Sequence, residues 1–269
     1  MKKIIIALFL LLSVNSYAVR PFVTDDARIV SKGQIEVEAW PEVNLVGDEQ
    51  TYALQFMAGM SITEWFEFIV GSGGGFDRRT SSETFANPTI SPKFLFLKAE
   101  VGSWLPGIAL DLGMNVNWGR GSLYDDAISL YAIMIATWRF YDDWLNIHLN
   151  LGERSTRHNG VSQARNYWGL GLDIGVYQRE YRLILESYAG DPMEAEAPRI
   201  AYQWGFRWLK SDYINYDLTF GTQKEPDGIF VSGDRREYWV QLGIRLLFDT
   251  KYTTNPGHEG AQGLFKRPI

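Results

Sequence analysis

Histidine is the residue of this sequence best suited to acid–base or metal chemistry, because the 269-residue chain contains three histidines and no cysteine. His148 lies between Asn146 and Asn150 in a strand-like stretch, whereas His158 and His258 lie in a predicted loop and in the C-terminal tail. A hydrolase needs a nucleophile within reach of its base, and a metal site needs several ligands together. We therefore expect no enzyme activity, no metal and no cofactor, and a hydrogen-bonding, space-filling role for His148.

Other ionisable residues recur at every second position of stretches whose remaining residues are large and apolar. In residues 145–151, for example, Leu145, Ile147, Leu149 and Leu151 alternate with Asn and His. A period of two over eight to eleven residues predicts β-strands with one apolar and one polar face. The charged residues predicted to share the polar faces are Glu36, Glu38, Glu67, Asp111, Asp173, Arg182, Glu186, Arg199, Arg207, Asp217 and Arg245.

About twelve such strands can be placed in the chain. Their lengths are close to the roughly 9 to 11 residues that a tilted strand needs to cross a bilayer. Short links such as 140–144 alternate with longer ones such as 71–88, 152–165 and 223–236, as in outer-membrane barrels. The predicted strands are 34–42, 51–60, 65–74, 88–98, 107–118, 126–138, 144–153, 166–177, 180–190, 198–209, 212–222 and 236–248.

The composition of the two faces decides between lipid and a protein core as the surroundings of the apolar face. A secreted β-sandwich or a soluble barrel would also alternate, but its outer faces would typically carry Lys, Glu and Thr. Here the polar face is rich in Gly, Asn, Asp and Gln, and glycine gives room inside a closed barrel. We therefore predict an all-β fold, a transmembrane antiparallel up-and-down β-barrel of about twelve strands.

Aromatic residues gather at the predicted strand ends, where a membrane presents its headgroups. Nine lie beside the short links: Trp65, Phe66, Trp104, Trp138, Trp144, Tyr177, Tyr181, Trp208 and Tyr213. Five lie near the long links: Tyr52, Trp118, Tyr167, Trp168 and Tyr238. Two such belts are expected of a barrel that spans a bilayer.

The chain begins with a pattern typical of secretion. Lys2 and Lys3 precede an apolar stretch, and Ser16-Tyr17-Ala18 has the small residues of a cleavage site. We expect residues 1–18 to be a signal peptide cleaved after Ala18, which leaves 24 basic against 32 acidic residues and a net charge of −8. Such an acidic chain has no basic face for nucleic acid.

The first residues of the expected mature chain resemble those of a family of bacterial outer-membrane barrels named for the MetA pathway of phenol degradation. The match consists of Arg20-Pro21-Phe22, Thr24-Asp25-Asp26-Ala27 and Lys32-Gly33-Gln34, running into Glu36 and Glu38. The resemblance implies an outer-membrane channel or transporter, with aromatic compounds as candidate solutes. The expected organisation is thus a periplasmic segment 19–33 with the RPFVTDDA motif, a barrel 34–248 and a periplasmic tail 249–269.

Two interpretations of the enclosed charges stay open at this point. They can form a field that orients solutes in an aqueous pore, or they can pair with one another and hold the wall together. We expect the candidate lumen-lining residues to be Arg182, Glu186, Arg199, Arg207, Asp217, Arg245 and His148.

The leading functional hypothesis is a channel for passive passage of small solutes through the bacterial outer membrane. Its expected partners are outer-membrane lipid, a small-molecule solute and the barrel assembly machinery, which would read the strand that ends at Phe248. The rival hypotheses are a structural or partner-binding barrel without an open pore, and an outer-membrane hydrolase.

Overall fold

The computed structural model describes residues 22–254 apart from 48, 79, 159–160, 179, 191–199 and 225–235. The predicted signal peptide and most of the predicted C-terminal tail lie outside the described residues. Within them, no helix is long and apolar enough to cross a membrane. The strands are β1 (Gln34–Val46), β2 (Glu49–Thr63), β3 (Phe66–Asp77), β4 (Ser82–Phe85), β5 (Thr89–Leu97), β6 (Gly107–Asn115), β7 (Ile128–Phe140), β8 (Leu145–His158), β9 (Val161–Tyr177), β10 (Tyr181–Ala189), β11 (Ile200–Ser211), β12 (Ile214–Lys224) and β13 (Arg236–Asp249).

Twelve of these strands form one closed antiparallel barrel. Each strand pairs with its neighbours along the chain, and β1 pairs with β13 from Gln34↔Asp249 to Val46↔Glu237. The four-residue β4 adds a small hairpin to β3, beside the point where β5 enters the wall. The twelve-strand prediction is therefore confirmed, with β4 as an addition that was too short to show a hydrophobic period.

The faces of the barrel are inverted relative to a soluble protein. On β11, the outward Tyr202, Trp204 and Phe206 are 59%, 47% and 51% exposed, whereas the inward Ala201 and Gln203 are almost fully buried. Polar side chains thus fill the interior and apolar ones cover the outside, which is the arrangement that a bilayer requires. The predicted apolar face points to lipid.

The two ends of the barrel differ in their connections. Five links at one end, which we call the short-turn end, join β2 to β3, β5 to β6, β7 to β8, β9 to β10 and β11 to β12. The opposite end, the long-loop end, carries most of the long links. Gln34 and Asp249, where the barrel wall begins and ends, both lie at the short-turn end.

The predicted loop 152–165 is wrong, because β8 and β9 continue as a hairpin as far as His158 and Val161. The ladder runs without interruption from Glu153↔Asn166 to His158↔Val161. Polar residues occupy both faces of this extension, so hydrophobic periodicity could not mark it as a strand. Tyr167, which we predicted in an aromatic belt, faces inward and is 5% exposed.

Inward glycines make room for large rings on neighbouring strands, as the prediction of an enclosed glycine-rich face implied. Gly113 lies opposite Tyr131, and Gly221 lies opposite Trp239. A Cβ atom at either glycine would come within 1.9 Å of the ring. Each ring therefore covers the backbone of the adjacent strand and fills part of the interior.

The outward face generates a prediction about stability. Leu242 lies on the lipid face near the middle of β13, so Leu242→Arg should destabilise the folded barrel by about 2–4 kcal/mol. Tyr238→Arg, near the strand end, should cost only about 0–1 kcal/mol from its charge, because an arginine there reaches the interface. Denaturant unfolding in lipid vesicles measures both variants, and equal costs would contradict the assigned lipid face.

Candidate functional site

Three arginines of the lumen form ion pairs with carboxylates on adjacent strands. Arg182 on β10 binds Asp173 on β9, Arg207 on β11 binds Asp217 on β12 at 2.9 Å, and Arg245 on β13 binds Glu36 on β1. All three arginines are less than a tenth exposed. These residues were predicted to face inward, and the pairing interpretation describes them, since each pair joins two strands of the wall.

Towards the long-loop end, the lumen is filled by side chains that form hydrogen bonds between neutral groups or between an arginine and a neutral group. The Thr219 hydroxyl donates to Gln241 at 2.9 Å, and the Trp239 indole donates to Gln203. On the other side of the barrel, the Arg154 guanidinium donates to the Ser129 hydroxyl at 2.8 Å. These hydrogen bonds join inward side chains of different strands.

Residues 22–31, which we call the inner segment, lie inside the barrel. The backbone N–H groups of Val23 and Thr24 donate to the Glu186 carboxylate at 3.1 and 2.8 Å. Asp25 N–H donates to Asn150 and Ala27 N–H donates to Thr137, both at 2.8 Å. The prediction of a segment outside the barrel is therefore wrong for these residues, because inward side chains of the strands supply acceptors for its backbone.

The charges of the inner segment are also paired. Lys93 on β5 donates to the Asp25 carboxylate at 2.8 Å and to the Asp26 carbonyl at 2.7 Å. Arg28 binds the carboxylate of Asp26 within the segment. Because Lys93 is 3% exposed, these bonds form in an enclosed site where an unpaired charge would be costly.

Apolar and small residues complete the seat of the inner segment. Arg207 lies 5.2 Å from the centre of the Phe22 ring, and Val23 packs against the buried cluster of Tyr188, Ala201 and Trp239. Gly169 makes room for Thr24, because a Cβ atom at that glycine would come within 2.8 Å of the Thr24 hydroxyl oxygen. Nothing in the local sequence of β9 links this glycine to a residue 145 positions away.

His148 is a wall residue with a hydroxyl neighbour that sequence reasoning missed. Its Nδ1 lies 3.0 Å from the Oγ1 of Thr137 on β7, and that oxygen also accepts the Ala27 N–H. Thr137 is 1% exposed beneath the inner segment. The Thr137 hydroxyl therefore links His148 on β8 to the inner segment.

At the short-turn end the inner segment leads into β1 through Gly33. This glycine has a φ of 78°, and a Cβ there would meet the Tyr252 backbone at 2.6 Å. Its carbonyl accepts the hydroxyls of Thr250 and Thr253 at 2.6 and 3.1 Å. The described start of the C-terminal tail therefore clasps the point where the chain leaves the lumen.

A cavity remains beside the inner segment, with an empty volume of about 1130 Å³ that includes the part open to solvent. Its lining includes the segment and inward residues of β1, β2 and β3. Four of the predicted lumen-lining residues, His148, Glu186, Arg207 and Arg245, border it, as does the inward Glu36. Arg182 and Asp217 lie in the wall, and Arg199 lies outside the described residues.

Several important lumen residues were not among the predicted ones. On β5, Lys93 lies on the face opposite to Ile90, Pro92 and Phe94, so the alternation of this strand could have predicted that Lys93 faces the lumen. Arg154 was hidden in the predicted loop. The roles of Asp25 and Asp26 had no signal of their own, because they depend on contacts with strands more than sixty residues away.

The fold and the lumen define a transmembrane β-barrel whose interior is partly occupied by its own N-terminal residues. The chain belongs to the family described as uncharacterised conserved protein UCP029691, whose model matches residues 7–248. This match does not confirm the MetA-pathway family that the N-terminal residues resemble. None of the curated proteins matches the chain.

Solved structures with the same fold include outer-membrane channels. The COG4313 outer membrane channel from Pseudomonas putida F1 has a TM-score of 0.61 and 9% identity, covering 86% of this chain and 100% of that one. The NanC porin has a TM-score of 0.54 and 7% identity, covering 78% of this chain and 98% of that one. The KdgM porin in complex with disordered oligogalacturonate has a TM-score of 0.52 and 8% identity, covering 79% of this chain and 99% of that one. At these identities the similarity shows the fold alone.

A tyrosine at the short-turn end offers a spectroscopic test of the contact between the β11–β12 link and the end of β13. The Tyr213 hydroxyl donates to Asp249 at 2.6 Å, and this bond, burial and the nearby carboxylates raise the pKa of Tyr213 to about 12. The raised pKa means that the contact is fully present below about pH 10 and is lost as the pH rises through about 12.

Ultraviolet titration of tyrosinate should therefore show a step near pH 12 that is absent from Tyr213→Phe. Asp249→Asn should move this step down towards the ordinary tyrosine pKa, because the accepting carboxylate is gone. A wild-type minus Tyr213→Phe difference centred near pH 10 would show that the bond is not formed.

Proposed function

We propose that this protein lies in the bacterial outer membrane and allows small solutes to pass through its lumen without an energy source. The observation that carries the proposal is the combination of a closed polar lumen with a cavity beside a segment that is not part of the wall. A barrel that served only as a structural anchor has no need of such a space.

The direction of insertion follows from the links and the predicted signal peptide. In outer-membrane barrels the short turns face the periplasm and the longer loops face outward. The short-turn end, with Gly33 and the Thr250 clasp, is then the periplasmic end. The exposed Phe248 at the end of β13 supports recognition of this strand by the barrel assembly machinery.

The inner segment is the element that restricts passage. It is held by hydrogen bonds from its backbone to side chains, by ion pairs and by packing, whereas wall strands are joined by continuous backbone ladders. Breaking the side-chain contacts leaves every ladder intact. The segment can therefore move while the barrel stays closed.

Aromatic or hydrophobic compounds are the solutes that we favour. The N-terminal residues resemble those of barrels associated with aromatic catabolism, and an apolar group inside the lumen fits the same class. Tyr188, Ala201 and Trp239 form this group and pack against Val23 of the inner segment. An aromatic ring of a solute can pack against the same apolar group.

Conductance across planar bilayers tests the proposal. Gly169→Val places methyl groups where Thr24 lies, so it should displace the inner segment and raise the conductance severalfold over the wild type. Thr24→Gly in the same chain should restore the space and return the conductance towards the wild-type value, as expected for directly coupled sites.

Heat-dependent gel mobility serves as the control that each variant has folded into a barrel. Folded Gly169→Val protein without any ion current, even at high voltage, would contradict a solute-conducting lumen. An increase that Thr24→Gly does not reverse would instead show that the current does not pass beside the inner segment.

A further inference from the structure

Glu67 on β3 is a buried carboxyl group that the barrel leaves without a fixed partner. Its side chain is 4% exposed and borders the cavity beside the inner segment. It forms neither a hydrogen bond nor an ion pair with any residue that the structure describes. A carboxylate enclosed in this way is costly unless a cation or a donor reaches it.

The basic side chains around this cavity already have carboxylate partners. Arg28 binds Asp26 and Lys93 binds Asp25, while Arg207 and Arg245 bind carboxylates of the wall. Eight of the side chains that line the cavity are carboxylic acids, whereas four are Arg or Lys. The cavity thus has an excess of acidic groups, and Glu67 is the one of these eight to which the described residues give neither a hydrogen bond nor an ion pair.

The surroundings of Glu67 combine this acidic group with space and apolar surface. Gly59 on the adjacent strand leaves room beside it, because a Cβ at Gly59 would lie 2.8 Å from the Glu67 Oε1 and 3.4 Å from Ile69. Met57 and Ile29 also line the cavity. A group that binds here meets one carboxylate and several aliphatic side chains.

These features favour an organic cation over a metal ion. No group of three or more His, Asp or Glu residues in the described part of the chain is arranged to hold a metal. An ammonium group, by contrast, needs a single carboxylate for a charge-assisted hydrogen bond, and its hydrocarbon part needs apolar surface.

We propose that the cavity binds solutes that carry a protonated amine on an apolar or aromatic body, with Glu67 as the carboxylate that receives the ammonium group. This inference rests on the proposed function, since it names the class of solute for the same lumen. Met57, Ile69 and Ile29 contact the hydrocarbon part. Gly59 keeps the space that the ammonium group occupies.

Three solutes of nearly equal shape test the proposal: phenethylamine, 2-phenylethanol and phenylacetate. Calorimetric titration of the full chain in detergent at neutral pH should show phenethylamine binding about tenfold more tightly than the other two, because hydrogen bonds to charged groups are the stronger ones. Glu67→Gln should abolish this preference. Glu100→Gln, an equal charge change at an exposed site, should keep it.

Gly59→Ala provides a second variant that leaves the charge of Glu67 in place. Its methyl group would fill the space beside the carboxylate, so phenethylamine binding should weaken severalfold while the barrel remains folded in gel-mobility assays. Equal binding of the amine and the alcohol to the wild type would overturn the proposal. So would an amine preference that persists in Glu67→Gln.

Uptake of the same three solutes into proteoliposomes separates this inference from the proposed function. Uptake of all three at equal rates, with no amine preference in binding, would refute the amine site and leave the channel standing. Tight amine binding without uptake of any solute would support the site and refute the channel.

Discussion

The pairing of β1 with β13 is the constraint on which the rest of this structure depends. Hydrocarbon offers no hydrogen bonds, so each backbone N–H and C=O in the bilayer must find a partner within the protein. The ladder from Gln34↔Asp249 to Val46↔Glu237 supplies the last row of these partners and removes both sheet edges. Once the sheet is closed, its inside is separated from lipid and becomes the place for polar side chains.

An enclosed polar lumen has to satisfy its own charges. Arginines on β10, β11 and β13 do so by binding carboxylates one strand away, and this pairing holds the wall together at the same time. The inner segment provides further partners in the middle of the lumen, where Lys93 binds Asp25 and Glu186 accepts two backbone N–H groups. Most of the charged groups named above therefore have partners inside the lumen, whereas Glu67 beside the cavity has neither a hydrogen bond nor an ion pair with the described residues.

Wall and inner segment are held by different kinds of bonds, and this difference separates their roles. The wall is a continuous set of backbone ladders, so it opens only by unfolding. From Val23 to Ala27, the inner segment is joined to the wall by individual hydrogen bonds to wall side chains. At one end it is fixed at Gly33, whose carbonyl accepts the hydroxyls of Thr250 and Thr253. A tethered element with separable contacts suits a lumen whose passage has to change while its wall does not.

Local sequence determined the strands, their faces and most of their ends, because successive side chains of a strand point to opposite faces and neighbouring residues therefore show the alternation directly. On β8, the alternation from Leu145 to Leu151 was enough to place His148 inside and the leucines outside. Parity likewise placed Arg182, Arg207 and Arg245 in the lumen, although which carboxylate each one binds depends on the register of the adjacent strand.

Only the tertiary structure decided what fills the lumen. The bonds of the inner segment to Glu186, Asn150 and Thr137 join residues more than a hundred positions apart, and no local period records them. The polar extension of β8 and β9 from Glu153 to Asn166 was hidden for a related reason, since strands with polar residues on both faces lose the apolar alternation. The sequence alone thus determined the barrel and its two faces, whereas closure in three dimensions placed the inner segment, the cavity and the unpartnered Glu67, because contacts across a lumen depend on where distant strands meet.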